Sequence, residues 1–344
     1  MLEVLEDYDF GSLTLATVCS HSSLQIFHGA RVEGFRTLGI CVGSPPRFYD
    51  AFPRGRPDSF FRVESYPEIL ERVDELAEEN VILIPHGSFV EYLGSREFAR
   101  IRLPTFGNRR VLEWESDRER SRRWLESAGI SMPRELTPDE ISGPVIVKYH
   151  GAKGGRGFFI ARTRDEFYRK ISPDMDYTIQ EFVTGNRYYF HYFYSPLPGE
   201  GYQLTRGRLE LLGMDRRIES NVDELYRLGP TPGVEPSFVV TGNLPLVARE
   251  SLLTQIFEMG ERVTEKSLEL FGGMIGPFCL ETICTPELEF KVFEVSARIV
   301  AGTNLYISGS PYADLISDNL STGRRIAREI KNAMELDRLE EVVT

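Results

Sequence analysis

Ser12–Val18 is a short, mostly apolar run, and Phe35–Val42 and the fully apolar Val81–Pro85 follow the same pattern. Apolar runs of this length, bounded by polar or turn residues, predict strands buried on both faces. Ser22–Glu33 and Pro67–Glu79 instead space their apolar residues for one helical face. This strand–helix–strand alternation predicts parallel strands with helices packed on them. Gly43–Asp58, rich in Pro, Gly and Arg, predicts a loop.

Beyond residue 107 the rhythm changes. Asn108–Ala128 predicts one long helix, with Leu112, Trp114, Trp124, Leu125 and Ala128 on its apolar side and Gly129 at its end. Ser131–Gly143 predicts a linker. A strand, a glycine turn and a second strand follow within Pro144–Phe159, then a short helix over Thr163–Ile171. Tyr177–Val183 and Arg187–Ser195 predict strands, and the intervening Gly185-Asn186 is a hairpin-like signal. Thr205–Gly213, Phe238–Thr241, Ile275–Cys284 and Glu289–Ala297 predict further strands. Ser220–Gly233 predicts a polar loop. Arg249–Phe271 and Ser321–Leu336 predict helices, with Ser321 as N-cap of the second. The expected class is α/β with α+β: a parallel α/β domain over residues 1–107, a strand-rich lid with its linker helix over 108–195, and a larger body over 196–344.

Composition narrows the function. The net charge is −12, which disfavours non-specific nucleic-acid binding. The basic run Arg118–Arg123 is interleaved with Asp117, Glu119 and Glu126 and fits a solvated helix face with local ion pairs. The uncharged stretch Leu13–Ala30 contains Ser20, His21, Ser22, Ser23 and Gln25, so it does not suit a membrane span. Cys19, Cys41, Cys279 and Cys284 form no CxxC pair; free thiols in a reducing cytoplasm are expected.

The densest chemistry lies in PVIVKYHGAKGGRGFF (Pro144–Phe159). Lys148 ends a strand, and Lys153 sits in a turn containing Gly151, Gly154, Gly155 and Gly157. Glycines let backbone N–H groups approach an anion, and lysines add compact charge. The chain holds only six lysines to 34 arginines, so two ammonium groups here suggest a flap over nucleotide phosphates.

Glu281 and Glu294 each interrupt an apolar strand. If these strands fold back about Glu287/Leu288, the two acids face each other with Cβ atoms roughly 4.5–5.5 Å apart. Such a pair needs a cation or a shared proton unless one member faces solvent, and a hard divalent ion suits it. Alternation puts Ser296 and Arg298 on the face of Glu294, where Arg298 can reach a phosphate or acyl phosphate or remain a surface arginine. Glu181 and Val183 end a strand at a hinge that could meet an adenine edge. Glu219, after Arg216 and Arg217, reads as half of a local salt bridge. Two turns follow buried strands, CSHSS with His21 and HGSFV with Ser88, where α/β sheets bind ligands. His21 could equally be structural. No P-loop or dinucleotide fingerprint is present.

These segments resemble the ATP-grasp superfamily and, within it, the archaeal PurP family. The resemblance runs from about residue 13 to the end through CSHSSLQI, HGSFVEYLG, FGNRRVLEWE, VIVKYHGAKGGRGFF, LELLGMDRRIESNVD, GGMIGPFCLET and FEVSARIVAGTNLYISGSPY. It implies an ATP-grasp fold behind an N-terminal α/β domain. It also implies the reaction of ATP, formate and aminoimidazole-carboxamide ribonucleotide (AICAR) to ADP, phosphate and the formylated nucleotide FAICAR, through formyl phosphate. His21, Ser88 and Asn243 then correspond to AICAR contacts. Lys148, Lys153, Gly154, Gly155, Glu181, Val183 and Glu219 correspond to ATP contacts, and Glu281 and Glu294 to ligands of Mg²⁺ or Mn²⁺. The resemblance replaces the salt-bridge reading of Glu219. It further implies a cytoplasmic homo-oligomer, trimeric or hexameric, with no nucleic-acid or membrane partner. Many ATP-grasp ligases carry Asn two residues after the second metal-binding Glu; Ser296 stands there instead. Alternative functions are ligation of another carboxylate and amine, and nucleotide binding without catalysis.

Overall fold

The computed structural model of the protein describes residue 5 and residues 8–149, 157–172, 174–219, 237 and 239–344. Among these, three sheets are present.

The first contains β1 (Thr14–Val18), β2 (Arg36–Val42), β3 (Ser59–Val63) and β4 (Val81–Leu83) in the order β3-β2-β1-β4, parallel throughout. β1 is buried at all five positions, as its apolar run requires. β3 was not predicted. It is an edge strand with two exposed and two half-buried residues, so it lacks a continuous apolar signal. The helix expected over Pro67–Glu79 is broken at Arg72 (φ −114°, ψ 28°), whose guanidinium lies 4.2 Å from the Phe61 ring centre.

The helix expected over Asn108–Ala128 is likewise two helices, Val111–Ser116 and Arg118–Ser127. Asp117 between them is extended, and its carboxylate accepts from the Arg120 N–H, so it caps the second helix. Trp124 anchors that helix by donating to the Val263 carbonyl at 2.9 Å.

The lid sheet comprises β5 (Glu135–Leu136), β6 (Val145–Tyr149), β7 (Phe158–Ala161) and β8 (Tyr177–Glu181), all antiparallel. Val145, Val147, Ala161, Phe167 and Ile179 form its own small core.

The body sheet comprises β9 (Asn186–Ser195), β10 (Tyr202–Gln203), β11 (Arg208–Glu219), β12 (Val240–Pro245), β13 (Gly276–Cys284) and β14 (Phe290–Ser296). Its order is β10-β11-β9-β13-β14, with β12 also paired to β11. β8 and β9 do not pair, so Gly185-Asn186 is a crossing between sheets and not a hairpin. A Cβ on Gly185 would lie 2.2 Å from the Cys284 carbonyl oxygen, so only glycine permits this crossing. β9 pairs with β11 and β13, which places it in the body rather than in a lid extending to residue 195.

One body face, with Phe190, Tyr192, Phe278 and Leu280, packs on Ile256, Met259 and Val263 of the helix Leu253–Phe271. On the other face, Phe193 and Leu212 pack under the helix Thr322–Glu335. Arg325 of that helix is buried over the Phe193 ring, 4.1 Å from its centre, and is paired with Glu210 and Glu329 at 2.7 Å each. The same helix crosses Ser23–Val32 of the first domain. There, a Cβ on Gly29 would sit 2.2 Å from the Arg324 nitrogen and one on Gly323 2.3 Å from the Gln25 carbonyl oxygen. Two facing glycines thus set the two domains at backbone contact.

Candidate active site

The register of β13 and β14 brings the two isolated acids together. Glu281 is the direct cross-strand partner of Glu294, as expected, but the pairs nearest the turn (Thr282 with Val292, Ile283 with Lys291, Cys284 with Phe290) are centred on Glu287 rather than on Glu287/Leu288. A bulge lies between Glu281 and Thr282. Glu281 is 4% exposed, while Glu294 opens to the water of the cleft even though protein crowds it. Repulsion from Glu281 first, and burial second, raise the Glu294 carboxyl above the ordinary carboxylate range; Arg217, Lys148 and Arg298 oppose the shift.

Arg217 on β11 donates to both oxygens of Glu281, at 2.8 and 3.1 Å, and its guanidinium lies 3.9 Å from the centre of the Tyr189 ring. The Ser296 hydroxyl donates to Glu281 at 3.4 Å. Tyr189 is the cross-strand partner of both Glu281 and Asp215. Partners across a sheet share a face, so one surface carries Glu294, Glu281, Tyr189 and Asp215 in a row. Further along the same strands, Arg187, two residues before Tyr189, and Glu219, four after Asp215, are ion-paired. Glu219 is therefore in a salt bridge, but with Arg187 of β9 rather than its neighbours Arg216 and Arg217. Asn243 on β12 is half-buried opposite Arg217.

The lid adds Lys148 from β6, with Nζ 6.0 Å from the centre of the Phe293 ring. Burial lowers the pKa of its ammonium, and attraction to Glu294 and Glu281 opposes that shift. Glu181 ends β8, and its carboxylate is taken by Arg134 at 3.3 Å and by Lys291 of β14 at 3.6 Å. Its side chain thus braces lid against body, so any adenine contact falls to its backbone. Val183 is half-buried in the crossing segment between β8 and β9. Lys153, Gly154 and Gly155 lie outside the described residues, as does most of the glycine turn.

The first domain contributes the carboxyl ends of its parallel strands. His21 has φ 47° and stacks on His86, with ring centres 5.9 Å apart and planes 11° apart. His86 is fully buried. Its Nε2 lies 3.0 Å from the Val18 carbonyl, and its Nδ1 accepts from the Ser88 N–H at 3.2 Å. That arrangement places the ring proton on Nε2. The Ser88 and Ser22 hydroxyls are buried without a hydrogen-bond partner among the described residues. Two orphaned hydroxyls at the strand ends beside His21 are what a polar ligand would satisfy. Burial, Arg298 and Arg217 all push the His21 imidazole down, so these arginines reach toward the same ring. The structure therefore gathers His21 and Ser88 at one end of the cleft and Glu281, Glu294 and Lys148 at the other.

Arg298 connects the two ends. It follows β14, and its guanidinium pairs with Glu115 at 2.9 Å. With its side chain only 17% exposed, it is not a surface arginine. Glu115 itself was missed in the sequence. Its signal was present: it stands three and four residues after buried Leu112 and Val111, on the inward side of a helix. Arg217 was also underestimated, because its role depends on pairing between strands far apart in the chain.

The donor set suits a hard divalent ion. Glu281, Glu294 and Ser296 offer only oxygen, and repulsion from Glu281, incompletely offset by Arg217, raises the Glu294 pKa. Among the described residues no group of three or more His, Cys, Asp or Glu is placed to hold a metal alone, so phosphate oxygens and water would complete the coordination. Arg217 must then yield part of Glu281, and the Tyr189 ring gives it a second anchor.

Comparison with known proteins agrees with this geometry. Two family models match, described as "Protein of unknown function (DUF1246)" over residues 15–136 and "Domain of unknown function (DUF1297)" over residues 170–344. The chain is 64% identical to the 5-formaminoimidazole-4-carboxamide-1-(beta)-D-ribofuranosyl 5'-monophosphate synthetase 1 of Methanosarcina mazei, covering 100% of this chain and 98% of that protein. Synthetase 2 of the same organism is 55% identical with the same coverage. The crystal structure of the IMP biosynthesis protein PurP from Thermococcus kodakaraensis aligns with TM-score 0.77 at 34% identity, over 96% of this chain and 100% of that one. N5-carboxyaminoimidazole ribonucleotide synthetase from Thermotoga maritima aligns with TM-score 0.63 at 14% identity, over 93% of this chain and 76% of that one, which establishes a shared ATP-grasp fold alone. With near-complete coverage at this identity, the chain belongs to the PurP family of 5-formaminoimidazole-4-carboxamide ribonucleotide synthetases.

Proposed function

We infer that the protein is a C–N-bond-forming ligase of purine biosynthesis that formylates AICAR with ATP and formate. The observation that carries this reading is the cleft itself. An acid pair beneath a lid lysine lies at one end, and orphaned hydroxyls beside His21 lie at the other, in a chain 64% identical to a FAICAR synthetase.

ATP lies between lid and body, with Lys148 against its phosphates; Lys153, Gly154 and Gly155, outside the described residues, are assigned to the same phosphates from the sequence resemblance alone. Glu181 and Val183 border the base through backbone groups, and Glu219 borders the nucleotide from β11. Glu281 and Glu294 would hold Mg²⁺, or Mn²⁺ in its place, with Ser296 where many ATP-grasp ligases carry Asn. When bound, the ion offsets charge on the phosphate oxygens.

A formate oxygen attacks the γ-phosphorus, and the bond from that phosphorus to the bridging oxygen breaks, releasing ADP. Arg298 supplies N–H donors to the resulting formyl phosphate. The AICAR amine, held by His21, Ser88 and Asn243, attacks the formyl carbon. Phosphate leaves and the amine loses a proton. The residues act chiefly by position and charge, and closure of the lid excludes water from the acyl phosphate. The protein acts in the cytoplasm as a trimeric or hexameric homo-oligomer, as its family resemblance implies.

The test is ADP release with ATP, Mg²⁺, formate and AICAR, omitting one component at a time. Dependence on all four is expected. Turnover with another small acid in place of formate, at equal rate, would replace the substrate assignment.

A further inference from the structure

We propose that Glu115 is a positioning residue that orients Arg298 toward the oxyanion of the reaction. This rests on the ligase reading above and adds a residue to it.

Glu115 lies on the helix Val111–Ser116, which joins the first domain to the lid and carries none of the other site residues. Its carboxylate is fully used. One oxygen is ion-paired with Arg298 Nη2 at 2.9 Å, and the other accepts a hydrogen bond from the Ala297 N–H at 2.8 Å. Glu115 therefore grips both the guanidinium and the backbone one residue before it, fixing the direction in which Arg298 leaves β14. The side chain of Glu115 is 7% exposed, so the pair is held without competition from water.

The rest of Arg298 remains available. Its Nε is buried and has no hydrogen-bond partner among the described residues. A Cβ on Gly87 would lie 3.7 Å from the Arg298 guanidinium carbon and 3.4 Å from the His21 ring. Arg298 also opposes the carboxylate repulsion at Glu294. A guanidinium between the acid pair and the histidine, with a buried donor free, is placed for an anion that passes from one end of the cleft to the other. Gripping one edge with a carboxylate leaves the other edge at a set angle, which a flexible arginine could not keep alone. A purely structural clamp would hold the helix to β14 but would have no bearing on which substrate the site prefers.

The test uses the full chain in two measurements. In steady-state kinetics, Glu115→Gln should raise the formate KM about tenfold while moving the ATP KM less than about twofold. Arg298→Met should do the same more strongly, and the double variant should be no worse than Arg298→Met alone. In the second measurement, binding of inorganic phosphate to the protein saturated with MgADP should weaken about tenfold in each variant. Parallel rises in the ATP and formate KM, additive losses in the double variant, or unchanged phosphate binding would overturn the proposal. Formate-independent turnover by the unaltered protein would instead remove the ligase reading, and the proposal with it.

Discussion

Arg217 holds both carboxylate oxygens of Glu281 while Glu294, directly across the strand pair, has no such partner among the described residues. The two acids are thus unequal: one is neutralised by protein, and the other is left in repulsion with it. Glu294 is the carboxylate with charge to spend on an ion. Glu294→Gln should lower the rate of ADP release by roughly a hundredfold or more, since several kcal/mol of charge stabilisation is removed. ATP-independent binding of AICAR should be retained. Turnover like that of the unaltered protein at millimolar Mg²⁺ would remove the metal role.

His21 and Lys148 stand at opposite ends of the cleft, and the kinetics should separate them. His21→Ala should raise the AICAR KM about tenfold, the loss of roughly one good hydrogen bond, with the ATP KM nearly unchanged. Equal effects on both substrates would place His21 outside the acceptor pocket.

His86 provides a pH signature of folding. Burial pushes its imidazole down to about 3, against an ordinary value near 6.5. The unfolded chain takes up a proton below about 6.5, and the folded one does not until about 3. Stability is therefore complete above that window and falls through it as the pH drops, with a slope of up to about 1.4 kcal/mol per pH unit from this group. Urea denaturation of His86→Asn between pH 6.5 and 4.5 should show a shallower pH slope than the unaltered protein. Equal slopes would mean that His86 protonates as readily folded as unfolded.

Arg325 is buried between Glu210 and Glu329 on the helix that docks the first domain. Arg325→Met leaves Glu329 without its cation and Glu210 with Arg208 alone, at 3.3 Å, and should cost about 3–5 kcal/mol, read as a lowered denaturation midpoint. Changing Arg325, Glu210 and Glu329 together to apolar residues of similar volume should recover only part of that loss, because buried Arg208 and the Ser195 hydroxyl then lose their acceptors. Failure of the triple variant to recover would show that the network also fixes the helix in place.

The parallel sheet was legible in the sequence because β1 and β4 are apolar on both faces. That Glu281 and Glu294 belong together was legible because each interrupts an apolar strand beside a common turn, but the one-residue bulge that completes their pairing leaves no sign in the apolar pattern. β3 was not, since an edge strand with exposed positions has no such run. The break at Asp117 was hidden because the apolar spacing of the two helices continues across it, and only the cap divides them. Glu115 and Arg217 act through partners 183 and 64 residues away, Arg298 and Glu281. Periodicity along one chain carries no sign of such partners.

The segment after β14 has a consequence for how the molecule can move. Within nine residues it carries Arg298 beside the acid pair, Ile299 bridged to His86, and Asn304, whose amide donates to the His21 carbonyl at 2.9 Å. Donor and acceptor pockets are therefore stitched by one short length of covalent chain. Their separation is a fixed gauge rather than an adjustable gap, so opening and shutting during turnover falls to the small sheet beyond Gly185, and a formyl group has a constant distance to travel.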